Sequence, residues 1–256
     1  MLEALIFDVD GTLAETEEAH RAAFNRAFSE SGLGWEWDQP LYGQLLNVTG
    51  GKERIAHYLA RGASVEAPLS AEDIARLHAR KTAIFGEIVA TGGVPLRPGV
   101  EALIRHAPEA GIRLAIATTT TLANVENLLG ATLGEDGLDR FEVIAAGDEV
   151  PAKKPAPDVF LLALKRLGLP AGRCLALEDS AHGLASARAA GLAALITRSA
   201  YTASQNFDGA AAVVDNLVEL VDGDAGRHGL GSDGSVGAAL GPQILAELTR
   251  IAMRAA

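Results

Sequence analysis

Six short apolar runs, "ALIFDVD", "IRLAIAT", "FEVIAAG", "RCLALED", "AALITRS" and "AAVVDN", each end at polar or glycine punctuation. Runs this short and this apolar suit strands buried on both faces. Between them lie segments of helical periodicity, "TLANVENLLG" at 121–130, "APDVFLLALKRLG" at 156–168 and "SAHGLASARAAG" at 180–191. Strands that alternate with helices build a parallel sheet covered on both faces, so the expected fold is α/β, a Rossmann-like doubly wound parallel sheet.

One interval breaks the alternation. Residues 16–94 carry helical patterns and turn signals but no convincing strand; Ala23, Phe24, Ala27 and Phe28 fall on one helix face, and "KERIAHYLARG" and "SAEDIARLHARKTAIFGEIVA" follow. This reads as an inserted helical cap domain between the two pieces of a catalytic α/β core at 1–15 and 95–222. Its linkers fall near 14–17 and in "TGGVPLRPGV", where glycine and proline interrupt the periodicity. Residues 223–256 are expected to be a glycine-rich linker and a C-terminal helix, with Pro242 near the helix start and Ile244, Leu245, Leu248 and Ile251 as its apolar stripe.

A formal charge of -11 over 256 residues argues against nonspecific binding to nucleic acid or acidic membranes while leaving room for a local basic pocket. Cys174 is the only cysteine, which rules out an intramolecular disulfide and suits a reducing compartment. The N-terminus reads as a buried strand and not a signal peptide, and no uncharged run approaches membrane-spanning length. A cytoplasmic monomer acting on a small molecule is the expectation.

Chemistry-bearing residues gather at the ends of the strand runs. Asp8 and Asp10, two apart, point the same way at the end of the first, and Gly11 lets the chain turn. Thr118 ends the second, Lys154 follows the third, and Glu178 and Asp179 close the fourth. Taken singly, these are a solvated turn, a helix-capping threonine and a surface lysine. Together they occupy the carboxyl ends of sheet strands, where open α/β sheets bind ligands. Carboxylates brought together repel unless a cation offsets them, so Lys154 or a hard metal such as Mg2+ is required. A nucleophilic carboxylate, an acid, a metal, a hydroxyl and a lysine are what phosphoryl transfer through an aspartate needs.

"LLNVTGGKERI" looks at first like a nucleotide phosphate loop. The strict loop needs glycine where Leu46 stands and Ser or Thr where Glu53 follows Lys52, so that reading fails. In the helix at 72–89, Lys81 falls within the stripe of Ile74, Leu77, Ile84, Phe85 and Ile88, flanked by His78 and Arg80. A lysine there either snorkels, meets a carboxylate or reaches an anion in the cleft, and the last is preferred.

With D-x-D-G-T, the threonine, lysine-proline and the acidic pair in order, residues 1 to about 222 resemble the haloacid dehalogenase superfamily. The resemblance implies Asp8 as the nucleophile, Asp10 as the general acid and base, Thr118 as a phosphoryl ligand and Lys154 as the lysine holding Asp8 and the phosphate. It implies Mg2+ on Asp8, the Asp10 backbone carbonyl and Asp179, supported by Glu178. "FDVDGTLAETEEAHRAAFN", "TGGKERI", "AAGD" and "KKPAPDVF" resemble the CbbY-type sugar-phosphate phosphatases in particular. That likeness implies a carbon-fixation role on pentulose 1,5-bisphosphates, xylulose 1,5-bisphosphate above all. By the same likeness Glu17, Gly50, Gly51, Lys52, Glu53, Arg54, His78, Arg80 and Lys81 are substrate ligands with Asp10. So are Thr118, Thr119, Thr120, Thr121, Leu122, Ala123 and Asn124. A sugar phosphomutase and a phosphoglycolate phosphatase share the core motifs and stand as alternatives. His20 is read either as a buried helix residue, which is preferred, or as part of an acid–base relay.

Overall fold

The structure, a computed structural model, describes residues 1–63, 69–221 and 240–255. All six apolar runs are strands: β1 (Ala4–Phe7), β2 (Arg113–Ala117), β3 (Val143–Ala145), β4 (Cys174–Glu178), β5 (Ala193–Thr197) and β6 (Ala212–Val214). They pair in parallel in the order β3-β2-β1-β4-β5-β6. Chain order reverses between β1 and β4, and the crevice beyond the carboxyl ends of such neighbours is where this architecture takes ligands.

Strand periodicity sorts the sheet's side chains by size. Leu5, Phe7, Leu114, Ile116, Leu175, Leu177 and Leu195 share one face and one buried cluster. Ala4, Ile6, Ala115, Ala117, Ala176 and Ala194 share the other, where α7 (Asp158–Leu167) and α8 (Ala181–Ala189) supply Val159, Phe160, Ala163, Leu184 and Ala187. Small strand residues there let the helices approach closely. The large-residue face is covered by α5 (Val100–His106) and by the C-terminal α9 (Leu240–Ala255), through Leu103, Ile104, Ile244, Leu245 and Leu248. The terminal helix thus docks on its own sheet. It starts two residues before Pro242, which sits in the first turn, where its missing N–H costs nothing. The proposed glycine-rich linker at 223–239 lies outside the described residues. α6 (Leu122–Leu133) follows β2, N-capped by Thr121.

Between β1 and β2 the chain forms α1 (Glu17–Glu30), α2 (Gln39–Leu45), α3 (Gly51–Ala60) and α4 (Ala71–Ala90). No strand is assigned among the described residues of this interval. Ser70 and Asp73 form a reciprocal capping box that starts α4. Phe24 and Phe28 of α1 meet Trp37 at ring-centroid distances of 4.7 and 4.8 Å, and Trp35, Tyr42 and Tyr58 complete the cluster. At the junction with the sheet, Ala14 bridges antiparallel to Leu96. Arg97 is buried beside it, and its guanidinium donates to the carbonyls of Gly11, Thr197, Arg198 and Asp215, the last two at 2.6 Å. Among the described residues no helix is long and apolar enough to cross a membrane.

Candidate active site

Asp8 leaves β1 while its N–H still donates to Leu177 O, at 2.9 Å, so its carboxylate is fixed at the β1–β4 crevice. Gly11 then turns the chain at φ 79°, and a Cβ there would stand 2.2 Å from Asp179 Oδ2. Glycine is required both for the turn and for the approach of Asp179. Lys154 enters from the loop after β3, fully buried. Its Nζ donates to Asp8 Oδ1 at 2.6 Å, Glu178 Oε1 at 2.5 Å and Ala117 O at 2.8 Å. Glu178 Oε2 accepts the Asp179 N–H at 3.1 Å, and Gly183 of α8 leaves room for that carboxylate, since a Cβ would lie 1.8 Å from it.

Asp8, Glu178 and Asp179 place one oxygen each within 4.8 Å of one another, all buried. Burial pushes the Asp8 carboxyl up to about 8 against the pull of Lys154, with Glu178 and Asp10 adding to the rise. Burial, then Glu178 and Asp8, lifts Asp179 well above the usual carboxylate range. One lysine is too little charge for three buried carboxylates. The donor set, all hard oxygens around an excess of negative charge, fits a divalent metal ion. The Asp10 carboxylate is not in this group, which leaves its backbone carbonyl as the part it could offer a metal.

Asp10 Oδ1 instead accepts from Thr16 Oγ1 at 2.5 Å and from His20 Nε2 at 2.9 Å. Burial would raise its pKa, but His20 and these hydrogen bonds bring it down to about 2. His20 stacks on Phe85 at 3.9 Å, and its Nδ1 lies 2.7 Å from Lys81 Nζ. An ammonium only donates, so Nδ1 is the acceptor and Nε2 carries the proton given to Asp10. Lys81 lies over the rings of Phe24 and Phe85, and burial draws its pKa down to about 7 against the pull of Asp10. The residue expected to reach an anion therefore has its ammonium committed to His20, although it does line the cavity. His20, preferred as a plain core residue on sequence, is the middle of this chain of contacts. The signal was Thr16 and His20 at i and i+4, with Lys81 as the one cation on an apolar stripe.

A cavity of about 780 Å³ runs from Asp8, Asp10 and Lys154 to the helical segment, lined there by Glu17, Gly50, Gly51, Lys52, Glu53, Arg54, His78 and Lys81. Gly50, at φ 98°, opens α3, and a Cβ on Gly51 would stand 2.3 Å from His78 Nε2, which accounts for the glycine pair. Glu17 Oε2 accepts the Tyr42 hydroxyl at 2.7 Å, and Arg54 lies over the Tyr42 ring. From the sheet side, Thr119, Thr120, Thr121 and Asn124 line it, with Asn124 Nδ2 donating to Thr120 Oγ1 at 2.7 Å. Thr118 is buried, its Oγ1 accepting the Thr120 N–H at 3.2 Å. Lys153 and Tyr201, in loops, and His182, in the first turn of α8, also line the cavity and were not foreseen; single residues carry no periodic signal.

Four expected substrate ligands fall outside its lining, the buried Thr118 among them. Arg80 sits on the neighbouring face of α4, where its guanidinium pairs with Glu30 at 2.6 Å and Glu87 at 3.1 Å. One residue of helix is about 100° of rotation, enough to carry it away from the cleft. Leu122 and Ala123 occupy the exposed side of the first turn of α6, Leu122 being 40% exposed.

A model of the haloacid dehalogenase-like hydrolases matches residues 2–191. The curated protein CbbY encoded on a plasmid of Cupriavidus necator is 53% identical over 223 residues, covering 84% of this chain and 86% of that protein. Protein CbbY of Rhodobacter capsulatus is 57% identical over 209 residues, 82% of this chain and 91% of that protein. Among solved structures, a mutant of CbbY from Rhodobacter sphaeroides in complex with xylulose-(1,5)bisphosphate superposes with a TM-score of 0.82 at 49% identity, over 88% of this chain and 99% of that one.

Proposed function

Because this chain belongs to the haloacid dehalogenase-like hydrolase family and is a phosphatase, we propose that it is magnesium-dependent and hydrolyses a sugar bisphosphate, xylulose 1,5-bisphosphate first and ribulose 1,5-bisphosphate after it, through an aspartyl phosphate. The observation that carries this reading is a single cavity with a buried acidic centre at the sheet and a glycine-and-cation wall on the helices. A cavity of that form suits a ligand with an anion at each end. The relative solved with xylulose bisphosphate supports the same choice.

In this mechanism an Asp8 carboxylate oxygen attacks phosphorus in line with the departing sugar oxygen, and Lys154 keeps Asp8 oriented while offsetting charge on the transferring group. Asp8, Asp179 and the Asp10 backbone carbonyl, with Glu178 behind them, would hold magnesium, which would supply further charge neutralisation. A phosphoryl dianion arriving beside Asp10 raises its proton affinity, so that it can protonate the leaving oxygen. With the sugar gone, Asp10 returns to the ionised form that Thr16 and His20 stabilise and takes a proton from the water that opens the acyl phosphate. Residues 16–94 act as a cap that binds the far end of the substrate and excludes bulk water.

Phosphate release is to be compared across xylulose 1,5-bisphosphate, ribulose 1,5-bisphosphate, glucose 1-phosphate and phosphoglycolate, with and without Mg2+. The expected result is Mg2+-dependent release with the pentulose bisphosphates preferred. A preference for phosphoglycolate, or an isomerised sugar phosphate without free phosphate, would overturn the assignment.

A further inference from the structure

Two adjacent lysines in the loop after β3 have opposite surroundings. Lys154 is buried among three acceptors. Lys153 has one: its Nζ donates to Glu53 Oε1 at 2.8 Å, in a pair whose side chains are 21% and 46% exposed. This ion pair joins the first turn of α3 to the sheet across the cavity that both residues line. It lies directly over Gly50, where a Cβ would stand 2.3 Å from Glu53 Oε2 and 2.6 Å from Lys153 Nζ. A bond between Thr49 Oγ1 and His182 Nδ1, at 3.2 Å, spans the same seam.

Two other cations along the cavity, Lys81 and Arg54, are held more firmly, whereas Lys52 lines it together with Lys153. Lys81 is buried against His20, and Arg54 donates to Leu45 O at 3.2 Å and to the Tyr42 hydroxyl at 3.3 Å. The partner of Lys153 is a half-exposed carboxylate, and pairs of that kind contribute little net stability. A phosphate dianion brings more charge and three acceptor oxygens, so it displaces a carboxylate from an ammonium. Gly50, Gly51 and Lys52, at the opening of α3, line the same space, and the N-terminus of a helix favours an anion.

We propose that Lys153 is a specificity-determining cation for the far, nontransferred phosphate, and that Glu53 holds its place until a substrate carrying that second anion arrives. The inference rests on the sugar-bisphosphate reading. On binding, the ammonium passes from Glu53 to the phosphate, and the Glu53 carboxylate turns to solvent. A substrate with only one phosphate leaves the pair intact and gains nothing from Lys153. The lysine thus discriminates between bisphosphates and monophosphates without touching the reacting end.

The test is the steady-state hydrolysis of xylulose 1,5-bisphosphate and of p-nitrophenyl phosphate by the full chain and by Lys153→Met, Lys153→Arg and Glu53→Gln, with folding checked by thermal melting. Exchange predicts opposite signs for the two partners. Lys153→Met should raise KM for the bisphosphate ~10-fold relative to the monophosphate, and Glu53→Gln should lower it ~3-fold, because the competitor is gone. Lys153→Arg should keep the preference. If Lys153→Met and Glu53→Gln both weaken the bisphosphate, the pair is a structural latch and the proposal is wrong. It is equally wrong if the wild-type preference survives Lys153→Met. Should the wild type itself show no preference for the bisphosphate, the function assignment fails, and this inference with it.

Discussion

At the scale of single residues, the site is decided by what has no side chain. A methyl group on Gly183 would enter the Glu178 carboxyl, and moving that group strips Lys154 of one of its two charged partners. Gly183→Ala should therefore lower phosphatase turnover ~100-fold and unfolding free energy by ~2 kcal/mol, as read by phosphate release and urea titration, since overpacking and a half-broken buried ion pair each cost stability. His78 gives a pH signature. Burial first, then Lys81, Lys52, Lys153 and His20, holds its pKa down to about 3 from the ordinary 6.5. Below 6.5 the unfolded chain takes a proton that the native chain refuses, so stability falls with falling pH across that window and is unaffected above it. The slope reaches at most ~1.4 kcal/mol per pH unit. His78→Asn should flatten that part of the profile when unfolding is measured at pH 7 and pH 5.

Among elements, α1 and α4 carry the most informative contact, because a charged residue lies in their apolar seam. Lys81→Met preserves the volume and removes a buried charge, so thermal stability should shift by less than ~1 kcal/mol, in either direction. The same change leaves His20 Nδ1 without its donor and frees the ring to turn away from Asp10. A ~10- to 100-fold loss of kcat at nearly constant melting temperature is the expected pattern. The helices of this segment were legible because Phe24, Phe28 and the stripe on α4 repeat with the helical period. Arg80 was misread since periodicity places a residue on a face to within one position only, and one position is the difference between the cleft and Glu30. Tyr42 and Lys153 meet Glu17 and Glu53 across long sequence separations, which no local pattern encodes.

For the whole molecule, the six strands could be read in sequence because buried parallel strands are short, apolar throughout and punctuated. Their order in the sheet was not legible in the apolar runs; it follows from which helices cover which face. The C-terminal helix shows the same limit: its apolar stripe was visible, its docking site was not. Leu248 is fully buried against the large-residue face of the sheet. Leu248→Ala should cost ~2–4 kcal/mol in urea unfolding if that helix is part of the cooperative fold. The bridge between Ala14 and Leu96 bears on how such molecules diversify. The chain leaves and re-enters the sheet at one spot, clasped by Arg97, so the stretch between these residues behaves as a cassette with a fixed plug. A change of length inside it leaves both ends of the plug, and the strand register beneath, where they are. Under the proposed function, breaking the ester rests on residues outside the cassette, while the choice of ester draws on both sides of the plug, through Gly50–Arg54 within it and Lys153 beyond it.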